Sequence, residues 1–157
     1  MRLKAALISA DELVAINERI AALTIDDPAM RYDNPDQIPP SAIRIKAIVS
    51  KVPIAEPIRQ AAWIMRAIIL LQPFADGNHR TALISSELVL DRVGIRFRPT
   101  ADQAQAFQKE VSHSRYVLLG GFEDAPLSVL EDWDDEVMRC CEDFIGEALG
   151  GTASSTA

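Results

Sequence analysis

From Glu56 to Leu71 the chain offers little that water can hold: Glu56, Arg59, Gln60 and Arg66 are the polar residues among sixteen. Ile58, Ala61, Trp63, Ile64, Met65, Ile68, Ile69 and Leu70 fall on more than one face of a 3.6-residue helix. A helix apolar nearly all round must be surrounded, so this segment predicts the centre of a helical fold. Pro57 suits its first turn, where a missing N–H has no partner to lose. The pattern breaks over Gln72–Asn78 and resumes as a second apolar helix from His79 to about Val93, with Gly94 as a left-handed stop. The chain is therefore constrained to two central helices joined by one tight loop.

The remaining elements are read from their ends. Ser9 with Glu12 forms a capping box for a helix to about Leu23, and Thr100 with Gln103 forms another for a helix to about Val111. Ser41–Lys51 fits a short helix ended before Pro53. Ser128 with Glu131 predicts the start of the last helix, whose apolar positions include Leu130, Trp133, Val137, Cys141, Phe144 and Leu149. Thr24–Pro40, rich in Asp, Asn and Pro, reads as a long loop. Ile95–Arg98 alternates too briefly to build a sheet. The expected fold is an all-α, single-domain bundle of about six helices over residues 1–150, with a frayed, disordered tail over 151–157.

Composition narrows the function. With 157 residues, 48% of them apolar, the chain can bury a sizeable core without disulfides or a structural metal. Cys140 and Cys141 are adjacent and form no disulfide framework or CxxC site, which fits a reducing, cytoplasmic setting. A net charge of −7 argues against nucleic-acid and anionic-membrane partners, and no window is long and apolar enough to span a bilayer.

The chemistry is concentrated in the loop Gln72-Pro73-Phe74-Ala75-Asp76-Gly77-Asn78-His79-Arg80. Gly77 permits positive φ, Asn78 is a good N-cap, and the first-turn amides beyond it have no intrahelical acceptors and can face an anion. Arg80, and His79 if charged, stand at the positive end of a helix, a placement that makes better sense with a bound anion. Asp76 is a candidate carboxylate for Mg²⁺ bridging that anion. Ordinary turn chemistry, with Arg80 paired to a nearby carboxylate, explains the same string equally well.

The string resembles the signature of the Fic/Doc family, HxFx(D/E)(G/A)N(G/K)R, with Phe74, Asp76, Gly77, Asn78 and Arg80 matching. The likeness extends to Leu7-Ile8-Ser9-Ala10-Asp11-Glu12-Leu13, similar to the opening helix of death-on-curing proteins, and to Arg80-Thr81-Ala82-Leu83 after the motif. The resemblance implies a compact helical bundle that binds ATP or another nucleoside triphosphate with Mg²⁺ and transfers AMP or phosphate to a protein hydroxyl, as in a toxin of a toxin-antitoxin pair. It also implies roles: Phe74 as loop anchor, Asp76 as metal ligand, Gly77 and Asn78 as anion cradle, and Arg80 as phosphate clamp.

Two departures from the signature bear on activity. Gln72 stands where the family carries the histidine that takes the proton from the target hydroxyl, and an amide has no basic lone pair near neutral pH. His79 stands where glycine or lysine is usual, and is read as a phosphate-binding or capping side chain, with a relocated base as the sharper alternative. Leu83 replaces the second arginine of AMP-transferring members, which places the chain nearer the phosphate-transferring branch. The expected function is attenuated transfer. The alternative is an inactive nucleotide- or partner-binding protein, bound for example by an antitoxin-like peptide.

Other groupings read as structural. His113 between Ser112 and Ser114, near Glu110, is a helix-end or surface histidine rather than a triad member, and two separated histidines make no zinc site. Arg92, Arg96 and Arg98 read as a solvated face, or more sharply as an extension of the phosphate site. Glu131, Asp132, Asp134, Asp135 and Glu136 read as an acidic first turn of the last helix.

Overall fold

The computed structural model describes residues 7–24, 39–121 and 124–156. These form six α-helices and one 3-10 turn, without a strand: α1 Ala10–Thr24, α2 Ala42–Ser50, α3 Pro57–Leu71, α4 Asn78–Asp91, α5 Ala101–Leu118, the turn Leu127–Leu130 and α6 Glu136–Thr156. The fold is all-α, as the apolar periodicity predicts. Residues 25–38 of the expected long loop lie outside the described residues.

Every residue of α3 from Ala61 to Leu71 is buried. α4 and α6 pack directly against it, α5 packs on α6, and α1 packs on α4. Side chains such as Trp63, Met65 and Ile68 are fully buried, each stabilising the fold by roughly 1.5–3 kcal/mol relative to exposure. Phe144 of α6 stacks on Phe107 of α5 at 4.1 Å between centroids and meets the edge of Phe97 at 5.5 Å, tying the α5–α6 layer to the chain after α4.

The helix starts follow their sequence signals closely. Ser9 and Glu12 exchange hydrogen bonds of 2.9 and 3.1 Å, and Thr100 and Gln103 exchange bonds of 2.8 and 3.0 Å. Ser41 Oγ accepts from Arg44 N at 3.3 Å. Gly94 takes φ 81°.

Two helices depart from expectation. α5 continues past Val111 to Leu118 because its second half is held from outside: Ser112 meets His79, Ser114 meets Cys140, and Arg115 donates to Leu70 O. The Ser112-His113-Ser114 run has weak helix propensity, and these contacts override it. α6 begins at Glu136 rather than near Ser128, which lies in the 3-10 turn. The cause is Arg66, whose buried guanidinium takes the Asp132 carbonyl at 3.3 Å and the Asp135 carboxylate at 2.5–3.2 Å. Asp132 O is thereby diverted, and Asp135 is left to cap Met138 N at 2.9 Å. The helical backbone of α6 runs on past Gly150, where the sequence suggests a tail.

The Arg66–Asp135 pair is nearly dry, with side-chain exposures of 1% and 14%. Asp135→Ala leaves a buried cation uncompensated, at an expected cost of about 3–5 kcal/mol in urea unfolding. Arg66→Met combined with Asp135→Asn removes both charges, keeps a capping side chain and should cost far less.

Candidate functional site

The motif loop is built on the end of α3. Gln72 terminates that helix in the left-handed region, φ 44° and ψ 63°, with its N–H on Ile68 O at 2.9 Å. It is the only non-glycine with positive φ among the described residues. The next carbonyls have no intrahelical donors, and guanidinium groups supply them: Arg115 of α5 donates to Leu70 O at 3.0 Å and Arg44 of α2 to Leu71 O at 2.6 Å. Cations are also favoured there by the helix dipole. Ser41 N donates to Pro73 O at 2.7 Å, so the start of α2 is stitched to the same loop.

Phe74 is buried in the core. Asn78 is also buried, and its side chain closes a ring with the Phe74 backbone: Phe74 N donates to Oδ1 at 3.1 Å and Nδ2 donates to Phe74 O at 3.0 Å. Asn78 is therefore not the N-cap. Gly77 holds that position at φ 76°, and Thr81 N donates to its carbonyl at 2.9 Å. The asparagine spends its amide on the loop because both Phe74 backbone groups are buried and would otherwise lack partners.

Among the described residues, the amides of Asn78, His79 and Arg80 have no hydrogen-bond acceptor, and Thr81 is the first to bond back into the helix. Arg80 is exposed and makes no hydrogen bond or ion pair with them. Asp76 is exposed too, with Oδ1 accepting from Gly77 N at 2.7 Å and no cationic partner among the described residues. The alternative in which Arg80 pairs with a nearby carboxylate is not what the described residues form.

His79 turns away from solvent toward α5, with Nε2 3.3 Å from Ser112 Oγ. Burial, and secondarily the nearby Arg115 charge, hold its pKa below the ordinary 6.5. His79, whose charge the sequence leaves open, is thus neutral near pH 7, leaving Arg80 as the charge beside the free amides.

The other groupings separate from this site. Arg92 is bound to Glu12 and Leu7 O, and Arg98 to Asp91. Both sit beyond the far end of α4, roughly 20 Å from its start at 1.5 Å per residue, and do not extend the motif. His113 is exposed in the interior of α5, not at a helix end. No cluster of potential metal ligands occurs among the described residues. A cleft of about 190 Å³ between α5 and α6, around Phe107, Glu110, Cys140 and Phe144, shares no residue with the loop.

Sequence reasoning missed Asn17 and Ser112, which touch the motif, and Arg44 and Arg115, which bond the last carbonyls of α3 just before it. None is adjacent to it in the chain, and their residue types occur throughout any helix surface. Only the packing of α1, α2 and α5 around the loop selects them.

The His79 environment has a pH consequence. Because the native pKa lies below the unfolded value, the unfolded state binds more protons below about pH 6.5, and native stability falls as pH drops through that value. Urea midpoints measured from about pH 7 to 5 should decline, and His79→Gln should flatten that decline.

Sequence comparison agrees with the geometry. The family model described as Fic/DOC family matches residues 7–90, from the turn before α1 to the penultimate residue of α4. No curated protein and no solved structure matches the chain significantly. The matched segment covers more than half of the sequence and includes the entire motif loop, so the chain belongs to the Fic/Doc family.

Proposed function

We propose that the start of α4 binds the phosphates of a nucleoside triphosphate, with ATP as the first ligand to test, and that transfer to a protein hydroxyl is attenuated. The observation that carries this reading is the set of three amides, Asn78 to Arg80, that find no acceptor among the described residues, beside an exposed Arg80 that those residues leave unpaired. A cation at the positive end of a helix costs some tenths of a kcal/mol or more, and a bound phosphate reverses the sign of that interaction. Arg80 would hold it through charge-assisted, bidentate hydrogen bonds.

The donor set fits Mg²⁺ through one carboxylate. Asp76 has one oxygen on Gly77 N–H and no competing cation among the described residues, which suits the single-carboxylate, phosphate-bridging role typical of this ion. Mg²⁺ would neutralise phosphate charge there. Phe74, Asn78 and Gly77 would keep the loop in place, and the start of the helix would supply the amides.

Attenuation follows from Gln72. At the position of the family's proton acceptor it offers an amide, and losing a general base typically costs about 10²- to 10⁴-fold in rate. His79 is a poor replacement because its Nε2 faces Ser112. The same observation favours a second reading, in which the chain binds nucleotide or a partner such as an antitoxin-like peptide and transfers nothing.

Calorimetry with Mg²⁺-ATP should detect binding, and Arg80→Ala should weaken it by roughly 1–3 kcal/mol with little change in unfolding midpoint. Gln72→His should raise transfer of labelled phosphate or AMP by about two orders of magnitude while leaving nucleotide affinity unchanged. A Gln72→His protein that binds Mg²⁺-ATP and gains no transfer toward a target hydroxyl would favour the second reading.

A further inference from the structure

The peptide unit between Asp76 and Gly77 is held at both ends. Its carbonyl oxygen accepts from Asn17 Nδ2 at 2.9 Å, and its N–H donates to Asp76 Oδ1 at 2.7 Å. Asn17 lies on α1, 59 residues away in sequence, and the same Nδ2 reaches Thr81 Oγ1 at 3.2 Å. The helix that carries it is anchored independently, since Arg92 at the end of α4 grips Glu12 and Leu7 O at the start of α1. α1 therefore runs antiparallel along α4 and brings one amide group to the loop and the first turn together.

This peptide can turn over on its glycine side. Gly77 sits at φ 76°, and glycine populates negative φ about as readily, so rotating the unit by roughly half a turn meets no Cβ penalty on the glycine side. Such a flip would aim the Asp76 carbonyl where the Gly77 N–H now points. It would also release the Asp76 carboxylate from its donor and set a negative dipole beside it.

We infer that Asn17 is a positioning residue that latches the Asp76–Gly77 peptide in one orientation and so holds the Asp76 carboxylate ready for the metal side of the nucleotide site. The inference rests on the nucleotide reading above for its ligand, but the latch is a property of the loop itself. It predicts a loss confined to Mg²⁺-dependent binding, because Asn17 bonds the Asp76 carbonyl and the Thr81 hydroxyl and none of the backbone amides of residues 78–80.

Asn17→Ala tests this within a helix interior, where alanine is the most favourable residue. The Gly77 amide should exchange with solvent at least about tenfold faster by NMR, and ATP affinity should fall about tenfold with Mg²⁺ and stay level without it. Asn17→Asp, the same shape with an acceptor in place of the donor, should behave alike. Equal losses with and without Mg²⁺ would indicate a merely structural residue and overturn the inference. So would unchanged Gly77 exchange, or an effect in Asn17→Asp alone. If the wild-type protein binds no Mg²⁺-ATP, the nucleotide reading fails separately, and faster Gly77 exchange in Asn17→Ala still supports the latch while unchanged exchange overturns it.

Discussion

A helix buried on every side cannot send the carbonyls of its last turn to water, and in this protein that constraint organises the site. α3 ends inside the molecule with Leu70 and Leu71 fully buried. Their carbonyls are met by Arg115 and Arg44, which come from helices on either flank. An unsatisfied buried carbonyl costs about 1–3 kcal/mol, so these bonds are a condition for burying α3 at all. They also determine where α2 and α5 can sit relative to the loop that begins at Gln72.

The loop then solves a second problem of the same kind. Phe74 must enter the core to anchor it, and its backbone enters with it. Asn78 returns both an acceptor and a donor to that backbone from one planar side-chain amide. With Asn78 so occupied, capping passes to Gly77, and the amides of residues 78–80 are left without acceptors among the described residues. Loop anchoring and the acceptor-free amides are two consequences of one hydrogen-bond arrangement.

Charge is distributed by burial in a comparable way. Arg66 is buried and is matched by Asp135, a pairing that also decides where α6 starts. Arg80 is exposed and is matched by nothing among the described residues. His79, lying between these extremes, is kept neutral by desolvation and serves packing against α5 more than electrostatics.

Much of this was legible in the chain. The unbroken apolar character of Glu56–Leu71 dictated a central helix, since no single face could carry so many buried side chains. The Ser9–Glu12 and Thr100–Gln103 pairs set two helix starts through contacts three residues apart, and the Gly77 break set the loop. These are local effects, in which the residues that decide the outcome are neighbours in sequence. Tertiary structure alone decided the length of α5, the late start of α6, the burial of His79 and the recruitment of Asn17, Arg44 and Arg115. In each case the deciding bond joins residues at least 26 apart in the chain, such as Ser114 with Cys140, Arg44 with Leu71, Asn17 with Asp76 or Arg66 with Asp135. Such a partner is chosen by the packing of whole helices, because any Arg or Asn on a helix surface has the same chemistry and only the position of its backbone singles it out.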